Sequence, residues 1–380
     1  MKKMNVVLLA IGLTLFVQAA PAQWTAAKRL TWNLGNSENP VIAVGPSGHL
    51  HVVWWDTTPG HYEIYYTKST DGGANWKPSQ RLTWTDNSSI PAIAVDSLGQ
   101  LHVVWCNNSP GNGEIYYKKS TDGGATWSPN QRLTWTSGQS LMPAIVVDPF
   151  DYLHVVWSDN TSTNYEIYYR RSTDGGATWT PNKRLTWTAD SSYIGDMAMD
   201  TLGNPHIVWE DLSPYEVFYK RGIDGGLTWA TSQRLTWNSG GSGWPSVAVE
   251  SSGHIHVVWE DGTPLNIEVF YRRSLNLGLN WAAGQRLTWN SSQSRFPAVA
   301  ADSDANVHVV WEDDISGDFE IYYRKSSDSG ASWAASQRLT WTSSWSQCPA
   351  IKADPSGNLH LVWHDSTPGN AEIYYKKYVN

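Results

Sequence analysis

Only two cysteines, Cys106 and Cys348, occur in 380 residues. That is too few for a disulfide framework. They fall in the second and seventh of the repeat units described below, which are not neighbours, so no bridge between them is expected. No stretch carries helix caps together with a 3.6-residue period. No Ser–His–Asp arrangement, zinc-ligand spacing or phosphate-binding loop stands out, so neither a cofactor nor a metal is expected. Basic residues are in deficit, with 27 Lys+Arg against 35 Asp+Glu and a net charge of −8. An acidic surface argues against nucleic acid and anionic membrane as partners. After the N-terminus, no apolar run approaches the roughly 20 residues of a membrane span, so no membrane insertion is expected.

The N-terminus is the exception. Lys2 and Lys3 precede an apolar run from Val6 to Val17, and Ala20-Pro21-Ala22 follows. This is the layout of a secretory signal peptide with a small-residue cleavage site. It predicts a signal peptide over 1–22, and a secreted or periplasmic protein formed by one domain over 23–380.

What the chain has in abundance is repetition. The tetrapeptide Arg-Leu-Thr-Trp ends at Trp32, Trp84, Trp135, Trp187, Trp237, Trp289 and Trp341. Each copy is followed by the same series, which in the second unit reads "PAIAVD", "LHVVW", "EIYYKKS", "STDGGATW" and "QRLTW". These segments are short and rich in Val, Ile, Tyr, Thr and Trp, and turn-forming residues separate them, which reads as strands. Four strands per unit of about 50 residues, seven times over, predict an all-β, seven-bladed β-propeller of four-stranded antiparallel blades. "PAIAV" suits the crowded innermost strand (A), followed by "LHVVW" (B), "EIYY" (C) and "RLTW" (D, outermost). The last unit stops after strand C, at Asn380, and residues 23–32 form a strand D with no blade before it. The N-terminal strand should therefore complete the last blade and remove the ring's free edges.

Tryptophan follows the same period. Seven occupy the "RLTW" slot, seven the "HVVW" slot and seven, counting Trp24, the slot that ends "STDGGATW". All are expected to pack between blades. Trp55, Trp244 and Trp345 fall outside the pattern.

The octapeptide Ser-x-Asp-x-Gly-x-x-Trp resembles the Asp-box. Full copies stand at Ser69–Trp76, Ser120–Trp127, Ser172–Trp179 and Ser326–Trp333, with variants at Gly222–Trp229 and Ser274–Trp281. Six copies at one spacing make the whole repeat region similar to the Asp-box (BNR-repeat) superfamily of sialidase-like propellers. The residues themselves explain the box as a C–D turn. Asp71, Asp122, Asp174, Asp224 and Asp328, with Asn276 in the fifth unit, accept backbone N–H bonds. Glycine supplies positive φ. These groups are structural.

The resemblance implies where activity would lie, on the face opposite the boxes, formed by the D–A and B–C loops. A sialidase would also need three converging arginines, a Tyr–Glu pair, an acid/base Asp and the Phe/Tyr-Arg-Ile-Pro motif. That motif is absent, and only Arg295 falls in a D–A loop. Carboxylates recur in every unit: Glu63, Glu114, Glu166, Glu216, Glu268, Glu320 and Glu372 open strand C. Asp56, Asp159, Asp211, Asp261, Asp313 and Asp365 close strand B, with Asn107 in the second unit. Recurrence fits turn bonding better than a catalytic pair. The strand-B histidines (His51, His102, His154, His206, His256, His308, His360) are likewise expected to be hydrogen-bonded in place.

Function should show where copies diverge, in the D–A loops. There Tyr193, Asp196, Trp244, Arg295, Phe296 and Trp345 form an uneven aromatic and polar arc, suited to stacking on sugar C–H faces. The expected function is a non-catalytic, lectin-like monomer recognising a glycan or polysaccharide through this face. A scaffold binding a surface protein, or a glycoside hydrolase other than a sialidase, are the alternatives.

Overall fold

The computed structural model describes residues 23–85, 87–263 and 265–379. The segment read as a signal peptide lies outside the described residues. No helix occurs among them; the chain forms seven antiparallel sheets in a ring. Blade 2 gives the pattern: A, Ser88–Val95; B, Leu101–Asn107; C, Glu114–Ser120; D, Gln131–Arg132. Blade 7 runs A, Ser346–Ala353; B, Leu359–Asp365; C, Glu372–Val379. Its outer edge is supplied by Lys28–Arg29 and Gln23–Trp24, which pair with strand C at Tyr374–Tyr375 and Tyr378–Val379. The ring is thus closed by the N-terminal strand.

The core is not one mass but seven slabs, one between each pair of neighbouring blades. Between blades 1 and 2, Val53, Ile64, Tyr66 and Leu82 meet Ile93, Leu101, Val103 and Trp105. Strand B is apolar on both faces because both are covered. Its tryptophans (Trp54, Trp105, Trp157, Trp209, Trp259, Trp311 and Trp363) are almost fully buried, and each contributes upwards of about 2 kcal/mol through apolar burial.

The "RLTW" tryptophans behave oppositely, which corrects the expectation from their period. Trp32, Trp84, Trp135, Trp187, Trp237, Trp289 and Trp341 are 64–70% exposed. Strand D pairs through only two residues. After Arg132 the chain turns away, Leu133 and Thr134 point inward, and Trp135 is left outside. The Arg of each copy lies 5.6–5.9 Å from its Trp ring. It also bonds the buried strand-C glutamate, as Arg81 does Glu63 at 2.9 Å. Those glutamates therefore hold strand D rather than bonding the B–C turn as expected. Glu372 also accepts the Asn33 N–H at 2.8 Å.

The Asp-box turns bond as expected. Asp122 accepts the Thr126 hydroxyl at 2.6 Å, the Thr126 N–H at 2.9 Å and the Ser120 hydroxyl at 2.8 Å, which holds its carboxyl well below the usual range. The box is also a clamp between blades. Gly124 has φ 87°, and a Cβ there would lie 2.2 Å from the Tyr66 hydroxyl of blade 1. Trp127 meets the Tyr66 ring edge-on at 5.2 Å. Asn276 serves as the aspartates do, accepting the Asn280 N–H at 2.9 Å.

Each strand-B histidine bonds a strand-C tyrosine hydroxyl through Nδ1 at 2.7–2.8 Å. In six blades a carboxylate (Asp96, Asp148, Asp200, Glu250, Asp302 or Asp354) stands 2.8–3.3 Å from Nε2. Blade 1 has Gly45 in that position, and burial there pushes His51 down to about 3. A Cβ on Gly45 would make only ordinary contacts, with the His51 Nε2 at 3.8 Å. Gly45→Asp should therefore complete the seventh pair. The expected gain is about 1–2 kcal/mol from the added hydrogen bonding and the stiffer unfolded chain. Thermal unfolding checks it, with a Tm rise of roughly 1–3 °C.

Candidate functional site

Two ends of the ring are chemically distinct. Asp-box turns and A–B turns share one: the Ser329 hydroxyl, in a box, donates to Glu250 after strand A at 2.7 Å. D–A and B–C loops share the other, where the Thr57 N–H donates to the Asn36 carbonyl at 2.9 Å. On this second end the seven A strands converge on a cavity of about 470 Å³ around the axis.

Every strand A carries a one-residue bulge as it enters this mouth, as between Ser89 and Ala92. In six blades the bulge puts the residue before proline into the left-handed region. These are Asn39, Ile90, Met142, Trp244, Phe296 and Cys348, with φ between 46° and 53°. Such a conformation is uncommon for bulky residues and strained for a β-branched one, by about 1–3 kcal/mol. Strain of this kind, repeated around one opening, points the varied side chains at a common space.

The structure brings part of the predicted set together. Trp244 and Phe296 meet edge-on, with centroids 4.8 Å apart. Arg295 lies over the Phe296 ring at 5.2 Å. Trp244, Phe296 and Asp196 line the cavity. Asp196, however, is engaged. It accepts the Ser246 hydroxyl at 2.9 Å and the Val247 N–H at 3.1 Å, bracing blade 4 against blade 5. Tyr193 packs on Tyr165 of blade 3 at 4.9 Å. Trp345 is exposed on its loop and is not among the cavity-lining residues.

The sequence reading missed a set of carboxylates beneath the mouth. The residue after the strand-B tryptophan is Trp55, Cys106, Ser158, Glu210, Glu260, Glu312 or His364 in blades 1 to 7. In blades 3 to 6 this side chain accepts the N–H at the bulge of the next blade. Ser158 takes Ile194 at 2.9 Å, Glu210 takes Trp244 at 2.9 Å, Glu260 takes Phe296 at 3.3 Å, and Glu312 takes Cys348 at 2.9 Å. Arg295 Nε stands 3.8 Å from Glu260. Gly243 leaves room for the Glu210 carboxylate, which would lie 2.5 Å from a Cβ there and would have to shift if one were added.

Burial raises all three glutamates, and Glu312 to about 7. Glu210 adds to the rise of Glu260, and Glu260 to that of Glu312, while Arg295 opposes it in both. The His364 ring is likewise buried, and pushed down to about 4. The sequence signal for this set was one divergent column inside an otherwise uniform strand.

A closed seven-bladed ring with clamped Asp-boxes and a strained, aromatic mouth defines a sialidase-like propeller. A family described as "BNR repeat-containing family member" matches residues 21–237. The chain belongs to that BNR-repeat family. No curated protein matches the sequence. Among solved structures, the chain is similar to a polysaccharide lyase PL25 ulvan lyase bound to -[GlcA(1-4)Rha3S]-. That likeness has 12% identity and TM-score 0.65, covering 90% of this chain and 93% of the lyase. It is also similar to the α-L-arabinanase of Penicillium chrysogenum (15%, TM-score 0.55, covering 93% and 98%). A third likeness is the intramolecular trans-sialidase of Ruminococcus gnavus (10%, TM-score 0.52, covering 90% and 94%). At these identities the likeness is one of fold.

Proposed function

We propose that the protein is an exported, monomeric, lectin-like propeller that recognises a glycan at the axial mouth. The observation that carries this reading is the Trp244–Phe296 pair lining a cavity of about 470 Å³, with Arg295 over the Phe296 ring. Aromatic faces match sugar C–H surfaces, and the arginine supplies donors to hydroxyls or an acidic substituent. The carbohydrate-acting names of the fold's relatives agree with this choice of ligand class. Trp244→Ala is expected to weaken binding of a glycan-array hit at least tenfold, or about 1.4 kcal/mol, measured by calorimetry. An array without hits, or an unchanged affinity, would overturn the mouth as a glycan site.

One observation favours a second reading, glycoside cleavage. Glu312, fully buried behind the cavity wall and raised to about 7, is suited to hold a proton at neutral pH close to the mouth. Turnover across a panel of chromogenic glycosides would support it. Glu312→Gln should then reduce kcat by at least 10²-fold, and turnover that survives the change would remove Glu312 from the chemistry.

A further inference from the structure

The outward-facing "RLTW" tryptophans form a second aromatic feature, on the circumference rather than the axis. Five of them lie next to a cation from strand C of the following blade. Lys118 stands 5.7 Å from the Trp84 ring, Lys220 5.9 Å from Trp187, Arg272 5.4 Å from Trp237, Arg324 5.6 Å from Trp289, and Lys376 5.6 Å from Trp341. The three lysines are at most 8% exposed. Each of the five donates to the carbonyl of the buried leucine in the neighbouring "RLTW". Among the described residues, none of the five makes an ion pair with a carboxylate.

A buried cation without a counter-charge is unfavourable unless something compensates it. The adjacent tryptophan accounts for part of the compensation, yet the other side of that ring system is solvent. Between blades 6 and 7 this arrangement widens into a groove of about 490 Å³. Trp341, Arg338, Lys376, Lys325, Trp24 and Tyr378 line it, and among the described residues no carboxylate does. An aromatic platform beside a half-satisfied ammonium or guanidinium matches a sugar ring bearing an anionic group. After its bond to the leucine carbonyl, each lysine keeps two N–H donors, which suits the two oxygens of a carboxylate.

We propose that the rim between blades carries repeated subsites for uronate units, so that one polyuronate chain engages several at once. Engaging several weak, equivalent sites on one polymer multiplies affinity without new contacts. Two of the seven positions differ. In blade 1, Thr67 replaces the cation and Trp32 keeps only Arg29. In blade 3, Arg170 bonds the Leu133 carbonyl, and Arg132 is the cation beside Trp135. This rim is separate from the mouth, and the inference does not rest on the glycan reading given above.

The test uses the full-length protein and polygalacturonate, with dextran as a neutral polymer and dextran sulfate as a sulfated one. Binding to polygalacturonate that is weakened by salt and absent for dextran is expected. The triple change Lys118→Met, Lys220→Met and Lys376→Met keeps the stems and removes the charges. It should reduce affinity more than tenfold, with near-UV circular dichroism confirming that the fold persists. Trp84→Ala with Trp187→Ala and Trp341→Ala, all at exposed positions, should do the same and so guards against misfolding of the lysine variant. Three results would overturn the proposal. These are equal binding of dextran, binding of dextran sulfate alone, and polygalacturonate binding that falls with Trp244→Ala but not with either rim triple.

Discussion

A protein lacking everything up to residue 32 is expected to be unfolded or aggregated at 25 °C, whereas the protein starting at Gln23 gives a cooperative melt. The ten residues removed carry the outer edge of blade 7. Leu30 is 6% exposed within the slab that joins blades 7 and 1. The Thr31 hydroxyl accepts the Ile373 N–H at 2.8 Å, and Trp24 packs on Tyr323 and Tyr378 at 5.2 and 5.4 Å. Glu372, fully buried, would lose the Arg29 guanidinium at 2.8 Å. Leaving a buried carboxylate unpaired costs about 3–5 kcal/mol, and losing one apolar side chain from a slab about 2–5 more. The sum reaches the 5–15 kcal/mol that typically separates folded from unfolded. Strand C of blade 7 would also become an open edge, ready to pair with another chain. Circular dichroism and size-exclusion chromatography decide the matter. Melting behaviour like that of the parent would mean that the ring closes without this strand.

The period, the blade count and the closing strand were legible because seven copies repeat every spacing, and each missing or surplus strand is visible as a gap in the series. The orientation of single side chains was less so. Strand D was read as four residues in the sheet, which would leave its tryptophan inside. It pairs through only two, and Leu133 with Thr134 fills the slab instead. Asp196 stood out correctly as divergent, but its partner Ser246 was hidden. That serine occupies a place held by alanine in blades 2, 3, 6 and 7, and the two differences form one contact between blades 4 and 5. Glu210, Glu260 and Glu312 were passed over for a different reason. Nothing in strand B says that the next blade's strand A bulges, and it is the bulge that aims an N–H at each carboxylate. Divergence in loops is easy to see against a repeat, whereas divergence by one residue inside a strand acquires meaning only across an interface.

Acid should unfold the protein abruptly below about pH 4.5, after little change between pH 7 and that point. Burial lowers His51, His102, His206, His256, His308, His360 and His364, with His51 near 3 and His364 near 4. The unfolded chain protonates its histidines near 6.5, so between there and the folded values it binds more protons and stability falls as pH falls. Each such group contributes about 1.4 kcal/mol per pH unit. Buried carboxyls act in the opposite direction. Glu210, Asp211, Glu260, Glu312 and Asp313 are raised by desolvation, Asp211 to about 6 and Glu312 to about 7. They stay protonated in the folded state while the unfolded chain has released its protons, so stability rises as pH falls toward 4.5. From pH 6.5 to about 4.5 the two sets act in opposite directions. Below that the carboxyls no longer help, and the histidines continue to lose. Asp200, Glu250 and Asp302, held near 2 by their histidine bonds despite burial, then add to the loss below about 4. Urea unfolding at pH 7, 5.5, 4.5 and 3.8 should give similar free energies at the first three. At the last, a fall is expected, with His51 alone contributing about 1 kcal/mol between pH 4.5 and 3.8. A steady decline beginning at pH 6.5 would mean that the mouth carboxyls ionise normally. In that case Glu312 would not hold a proton at neutral pH, and the cleavage reading would lose its support.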